Sequence, residues 1–200
     1  MFIQGLITVA LGYLLGSVPS AYLLTRVLSG KDVHVEGDGN VGARNAGYVA
    51  GPLAGWLTLI LDGAKGATTY YVARRWGGTG PVFYLTALAM VLGHCFPIWL
   101  GFHGGKGMAA EAGFLLQMWP YAATAGLAVV ALAMQAVSFD LAAGLGAATF
   151  LALSFVEGNT LGGALFIVLF LGLTGLKKLV DLPYERRLRS VNHIQQQTHH

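Results

Sequence analysis

The stretch GFHGGKGMAAEAG, residues 101–113, combines several glycines with a lysine at the start of an apolar run. Gly104, Gly105 and Gly107 surround Lys106 and lead directly into a predicted helix. Backbone N–H groups and the positive end of the helix dipole favour an anion at such a helix start. The GxxxxGK[ST] spacing of nucleotide-hydrolysing loops is absent, and no predicted strand precedes the segment. The pattern therefore predicts a phosphate-binding site that does not hydrolyse nucleotides.

A second glycine-rich segment, GDGNVGARNAG at residues 37–47, interleaves glycines with asparagines and charged residues. Glycine adopts positive φ angles and lets backbone N–H groups approach a ligand closely, and asparagine tolerates the same backbone region. Such a segment forms either an anion-binding nest or a flexible connector. Because a second glycine loop is expected on the same face, the nest is favoured. The candidate binding residues of this segment are Gly37, Asp38, Gly39, Asn40, Arg44 and Asn45.

Four further ionisable residues lie in or beside strongly apolar segments, where charge is costly and usually has a function or a partner. Asp62 and Lys65 are three positions apart and share a helix face, so a structural ion pair is favoured over a catalytic one. His94 is either a buried, hydrogen-bonded histidine or a part of the site. Glu111 is either an interfacial carboxylate held by its helix or a restraint on the nearby lysine. We treat all four as possible support for the site.

The elements that position these residues are those of an integral membrane protein. Of 200 residues, 55% are hydrophobic and 10% are charged, and the mean hydropathy is +0.62. A helix of about 20 apolar residues crosses a hydrocarbon core of ~30 Å. Apolar segments without the alternation of barrel strands cover residues 2–25, 53–73, 81–101, 108–137, 141–156 and 161–176. The expected fold class is all-α, a polytopic membrane protein with glycine-rich cytoplasmic loops.

The number of spans depends on the segment 108–137, which is too long for one crossing. It contains QMWPYA, in which Trp119 and Tyr121 flank Pro120. An aromatic pair around a proline predicts an interfacial turn, which splits the segment and gives seven spans instead of six.

The distribution of basic residues also favours seven spans. Nine lysines and arginines then lie on one side of the membrane, and only Arg74 and Arg75 lie on the other. The positive-inside rule predicts an external N-terminus and a cytoplasmic C-terminus, with both glycine loops in the cytoplasm. We expect one transmembrane domain over residues 1–182 and a basic, polar cytoplasmic tail over residues 183–200.

The single Cys95 cannot form an internal disulfide and has no partners for a zinc site. We therefore expect no metal and no cofactor. The lipid bilayer is the expected surrounding, no nucleic acid partner is expected, and the oligomeric state is left open.

Several ordered blocks of the sequence resemble one family. The blocks are GYLLGSVPSAYLLTR, GDGNVGARN, LDGAKG, LGHCFPIWLGFHGGKGMA and VSFDLAAG, which together span roughly residues 10–145. In order and spacing they are similar to the bacterial glycerol-3-phosphate acyltransferases that use acyl phosphate. The resemblance implies a seven-helix inner-membrane enzyme of phospholipid synthesis. Such enzymes transfer a fatty acyl group from acyl phosphate to the 1-hydroxyl of sn-glycerol 3-phosphate, which gives lysophosphatidic acid and inorganic phosphate.

The resemblance also implies roles for individual residues. It places a substrate phosphate at Gly104 to Gly107, and it makes Lys106, Asn45 and Ser138 the expected catalytic residues. The chain departs from the family pattern at several polar positions. Asp38 and Arg44 replace a serine and a threonine, His103 replaces a lysine, and LKKLVDLPYERR replaces a histidine, arginine and asparagine cluster after the last span.

An acyl phosphate is a mixed anhydride with a good leaving group, so the expected mechanism relies on positioning and on stabilising negative charge. No GxSxG elbow and no HxxxxD box is present; the aspartate position of that box, counted from His94, holds Trp99. Two alternatives remain at this point. One is a transporter or channel for a phosphorylated metabolite, and the other is a relative that has lost acyl transfer or uses another acceptor.

Overall fold

The computed structural model describes the backbone of residues 2–198 and the side chains of residues 2–188. Within that part of the chain the regular structure is helical and contains no strand. The α-helices are α1 (Phe2–Ser17), α2 (Ser20–Ser29), α3 (Ala43–Ala50), α4 (Pro52–Val72), α5 (Pro81–Cys95), α6 (Met108–Met118), α7 (Pro120–Ala133), α8 (Phe139–Ser154) and α9 (Leu161–Thr198). The all-α prediction is confirmed.

Three segments of the described chain are long and apolar enough to cross a membrane: Phe2–Ser29, Pro81–Leu100 and Leu161–Leu188. The helices α7 and α8 are apolar but shorter. The protein is therefore a polytopic membrane protein, and the count of seven spans stays a prediction.

Prolines mark where several of these helices begin. Pro52, Pro81 and Pro120 are each the first residue of a helix, where the missing N–H costs nothing and the fixed φ angle fits the helix. The predicted break in segment 108–137 is confirmed, because α6 ends at Met118 and Trp119 adopts a non-helical backbone before Pro120.

Glycines allow the helices to pack backbone against backbone. On α1, Gly16 lies against the carbonyl oxygen of Met90 so closely that any Cβ would clash. Gly66 of α4 is in the same position relative to the carbonyl oxygen of Ala110 on α6. Small residues at helix contacts are typical of membrane proteins, because close packing replaces the hydrophobic effect as the source of affinity between helices. These contacts fix α1 against α5 and α4 against α6.

The aromatic core lies between α5, α6 and α9. Phe114 of α6 packs on Phe83 and Phe170, with ring centroids 5.5 Å apart in each pair. Phe166 and Phe170 stack at 5.1 Å. This core holds the first part of α9 in place, so that its second part reaches the glycine loops.

The glycine loops gather at one end of the helix bundle, which we call the loop end. It comprises residues 30–42, residues 101–107, the start of α8 and residues 177–188 of α9. The helix α9 continues through Pro183, across the predicted boundary between residues 182 and 183. That domain boundary stays a prediction.

Candidate functional site

A cleft of about 340 Å³ opens at the loop end. It is enclosed by the two glycine loops on one side and by α9 on the other. Its polar lining residues are His34, Asn40, His103, Lys177, Asp181, Tyr184 and Glu185. The predicted phosphate loop and the predicted nest therefore face a shared space.

Lys106 is paired with a carboxylate of α9, that of Glu185, which lines this cleft. Its Nζ atom is 2.8 Å from Oε1 of Glu185, and the two side chains are 20% and 7% exposed. The Thr174 hydroxyl donates a hydrogen bond to the Lys106 carbonyl oxygen over 2.6 Å. Both the backbone and the side chain of the lysine are thus held by α9.

The helix α6 begins directly after the phosphate loop, at Met108, with Gly107 at φ +88° before it. The amides of Gly105, Lys106 and Gly107 have no acceptor among the described residues. Three backbone donors and one ammonium group therefore belong to consecutive residues just before a helix N-terminus, which is a suitable place for a phosphate group.

Gly104 and Gly105 lie against the end of α5. The Gly104 amide donates to the Cys95 carbonyl oxygen over 3.0 Å, so this donor is used within the protein. A Cβ atom on Gly105 would lie 2.6 Å from Nε2 of His94. Glycine is required at both positions because the loop has no room for a side chain.

Asn45 braces the first glycine loop. It is buried, and its Nδ2 atom donates to the carbonyl oxygens of Val33 and Glu36, each over 3.0 Å. Its Oδ1 atom accepts from the Asp38 amide at 3.1 Å. Gly37, at φ +62°, lies so close to this oxygen that any Cβ would clash. The catalytic role expected for Asn45 stays a prediction, and its observed contacts are with the loop backbone.

Asn40 is the polar residue of this loop that faces the cleft. The Asp38 carboxylate accepts from the Asn40 amide over 3.1 Å, which closes a tight turn around Gly39. The Oδ1 atom of Asn40 is buried and has no hydrogen-bond partner among the described residues. This oxygen is therefore an unsatisfied acceptor beside the cleft.

Arg44 and Ser138 both lie near the start of α8. The Arg44 guanidinium is 6.0 Å from the centre of the Phe139 ring, the first residue of α8. Ser138 is the N-cap of α8, and its hydroxyl makes no capping hydrogen bond. Both side chains are exposed.

A small polar cavity of about 10 Å³ lies beneath the phosphate loop and is lined by Asp62, Lys65 and His94. The predicted pair is confirmed, because Nζ of Lys65 is 2.9 Å from Oδ1 of Asp62. Lys65 also donates to the carbonyl oxygens of Gly16 and Val18, over 3.3 Å and 2.7 Å. These carbonyls lie at the end of α1, so Lys65 binds acceptors that the helix leaves unsatisfied. The structural role favoured from the spacing stays a prediction.

His94 and Glu111 are both buried below the loop. Nδ1 of His94 and Oε1 of Glu111 have no hydrogen-bond partner among the described residues. The carboxylate that restrains Lys106 is that of Glu185, so the alternative in which Glu111 does so is not what the structure shows.

Known proteins of one family match this chain both in sequence and in fold. The sequence model of the family described as glycerol-3-phosphate acyltransferase matches residues 6–180. The chain belongs to the glycerol-3-phosphate acyltransferase family. The resemblance inferred from the sequence blocks is thus confirmed.

Two curated relatives of the family illustrate the similarity. A glycerol-3-phosphate acyltransferase of Anaeromyxobacter dehalogenans is 46% identical over 133 residues, which are 64% of this chain and 66% of that protein. Glycerol-3-phosphate acyltransferase 2 of Thermotoga maritima is 39% identical over 170 residues, which are 84% of this chain and 85% of that protein.

Solved structures of the family match over most of the chain. The crystal structure of PlsY (YgiH), an integral membrane glycerol 3-phosphate acyltransferase, in its glycerol 3-phosphate form has a TM-score of 0.80 and 28% identity. The match covers 90% of each chain. The lysophosphatidic acid form of the same protein has a TM-score of 0.76.

Several polar residues at the cleft of this acyltransferase family member were not predicted from the sequence. On α9 these are Lys177, Asp181, Tyr184 and Glu185. Their spacing of four, seven and eight residues places them on one helical face, and this signal was available in the sequence.

His34 was also not predicted, and no spacing pattern marks it. Its Nε2 atom is 3.1 Å from the His103 carbonyl oxygen, so it links the two glycine loops. Its Nδ1 and amide nitrogen atoms are each 3.0 Å from the Asp32 carboxylate. Burial alone would raise the pKa of Asp32, but the hydrogen bonds from His34 and the nearby Arg26 guanidinium hold that pKa below its usual value.

Proposed function

We propose that the protein transfers a fatty acyl group from acyl phosphate to the 1-hydroxyl of sn-glycerol 3-phosphate at the cleft of the loop end. The observation that carries the proposal is the position of Lys106, beside unbonded backbone amides at the start of α6 and at the edge of the cleft. Family membership supplies the reaction class. The products are lysophosphatidic acid and inorganic phosphate.

The chemistry needs no covalent enzyme intermediate. The acceptor hydroxyl oxygen forms an ester bond to the acyl carbon, and the bond between that carbon and the phosphate oxygen breaks. The leaving phosphate keeps the electron pair, and a substrate phosphate accepts the hydroxyl proton. Because negative charge moves onto phosphate oxygen, donors that are already in place stabilise the transition state more than water does.

The residues have distinct roles in this proposal. Lys106 and the amides of residues 105–107 bind phosphate at the start of α6. The unpartnered Oδ1 of Asn40 accepts from an acceptor hydroxyl. Arg44 and Ser138, beside α8, bind the second anionic group. The fatty chain remains between the apolar helices, which explains why the site lies at a membrane boundary.

The proposed location is the inner membrane of a bacterium. The loop end lies in the cytoplasm, from which the water-soluble glycerol 3-phosphate reaches the cleft. The nine-to-two distribution of basic residues supports this orientation.

The test is an assay of the purified protein in lipid nanodiscs with radiolabelled glycerol 3-phosphate and a long-chain acyl phosphate. We expect labelled lysophosphatidic acid and an equal amount of inorganic phosphate. Acyl-coenzyme A and acyl carrier protein thioesters serve as alternative donors, and product from these alone would contradict the proposed donor. Uptake of intact glycerol 3-phosphate into liposomes without product would instead indicate a transporter.

A further inference from the structure

The cleft contains a buried carboxylate next to Lys106, the residue at which an anionic substrate is expected. Glu185 lines the cleft, its side chain is 7% exposed, and its carboxylate lies 2.8 Å from the Lys106 ammonium group. A carboxylate with so little exposure to water needs a cationic partner. Lys106 is such a partner.

The other lysine of the cleft is paired in the same way. Nζ of Lys177 is 2.5 Å and 2.6 Å from the two carboxylate oxygens of Asp181, one helical turn away on α9. Lys106 and Lys177 therefore each have a carboxylate from α9 beside them. An incoming phosphate has to compete with these carboxylates for an ammonium group.

The backbone of the phosphate loop does not depend on this ion pair. The Thr174 hydroxyl binds the Lys106 carbonyl oxygen, and the Gly104 amide binds the end of α5. The lysine side chain can thus turn from Glu185 to a ligand by rotation about its own bonds while the loop stays in place.

We propose that Glu185 is a positioning residue that holds Lys106 before substrate binds and is then exchanged for a substrate phosphate. The exchange favours dianionic phosphate groups over monoanions such as carboxylates, because only the stronger charge displaces a buried carboxylate. The inference rests on one part of the proposed function, the binding of a substrate phosphate group by Lys106.

The test measures binding of inorganic phosphate and of glycerol 3-phosphate to the purified protein in nanodiscs by calorimetry, together with steady-state kinetics. In Glu185→Gln, which keeps the shape but removes the charge, we expect phosphate to bind at least threefold more tightly. The KM for glycerol 3-phosphate should fall by a similar factor, and kcat should not rise. Glu185→Asp keeps the charge on a shorter side chain and should give an intermediate affinity.

Two further variants show whether the effect passes through Lys106. In Lys106→Ala, adding Glu185→Gln should no longer tighten phosphate binding, because the exchange has lost its cation. Glu157→Gln is the matched control. It makes the same change of side chain at the opposite end of the bundle, where the Glu157 carboxylate accepts from the backbone amides of Tyr121 and Ala122. Its phosphate affinity should stay within a factor of two of the unmodified protein.

Equal or weaker phosphate binding in Glu185→Gln, in a protein that folds and turns over, would overturn the inference and leave the proposed function intact. So would tightening that persists in the Lys106→Ala background or appears equally in Glu157→Gln. An unmodified protein that is folded but shows neither phosphate binding nor turnover would overturn the proposed function and the inference with it.

Discussion

At the scale of single residues, Lys106 of the phosphate loop and Asn45 at the start of α3 make different kinds of contact. The Lys106 side chain pairs with Glu185, which lines the cleft. Asn45 is buried, and its amide group is bound to the loop backbone. Substitution at the two positions should therefore affect activity and stability in different proportions.

We expect Lys106→Ala to reduce turnover at least ~100-fold. Removing one charged or hydrogen-bonding group from a preorganised site usually costs about 3 kcal/mol of transition-state stabilisation. Lys106→Arg should restore little activity, because a planar guanidinium does not replace a compact ammonium group. The measurement is the acyl phosphate assay, with thermal unfolding as the control for folding.

The Lys106→Ala variant also leaves the buried Glu185 carboxylate without this partner, so some loss of stability is expected. The double variant with Glu185→Gln should recover the stability but not the activity. Near-normal acyl transfer in a folded Lys106→Ala protein would remove the loop from the mechanism.

For Asn45→Ala we expect a loss of stability together with a loss of activity. The substitution leaves the buried carbonyl oxygens of Val33 and Glu36 without their donor, at a cost of roughly 1–3 kcal/mol for each unsatisfied group. The melting temperature and the turnover should fall together. A large loss of turnover at an unchanged melting temperature would instead support the direct catalytic role predicted from the family resemblance.

At the scale of helices, the position of the phosphate loop depends on the packing of α4 against α6 and on a hydrogen bond from the loop to α5. The loop precedes α6, whose Ala110 carbonyl lies against Gly66 of α4. The other end of the loop is bonded to α5 through the Gly104 amide. A shift between these helices would therefore move the donors of the loop.

We expect Gly66→Ala to destabilise the protein by about 1–3 kcal/mol, the usual cost of overpacking, because its Cβ would clash with the Ala110 carbonyl oxygen. Gly172→Ala on α9 is the matched control, since a Cβ there meets nothing within 4 Å. Thermal unfolding in one detergent measures both variants. Equal melting temperatures would show that α4 and α6 do not pack as described.

At the scale of the whole molecule, contacts bring segments that are far apart in the sequence to the same end of the bundle. The Tyr184 hydroxyl donates to the His34 carbonyl oxygen over 3.0 Å, and Lys178 pairs with Asp140. At the opposite end, the Glu157 carboxylate accepts hydrogen bonds from the first amides of α7. This grouping of loops agrees with the alternation that the seven-span prediction requires.

The orientation of the two ends can be tested by cysteine labelling in intact cells of a variant in which Cys95 is replaced by alanine. Thr79→Cys and Val156→Cys, at the end opposite to the loops, should react with a membrane-impermeant maleimide. Lys31→Cys and His103→Cys should react only after the cells are opened. All four side chains are exposed, so reactivity reports the side of the membrane. The reverse pattern would invert the predicted topology.

The sequence by itself determined the membrane class, the helix break before Pro120, the Asp62–Lys65 pair and the family. Each of these depends on local composition, on helical spacing or on ordered motifs, which are properties of residues close together in the chain. The partner of Lys106 and the bracing role of Asn45 were decided only by the tertiary structure. Glu185 lies 79 positions after Lys106 in the chain, and the Asn45 contacts depend on the path of a loop. Contacts of this kind arise when helices pack, because packing brings together side chains that no spacing rule relates.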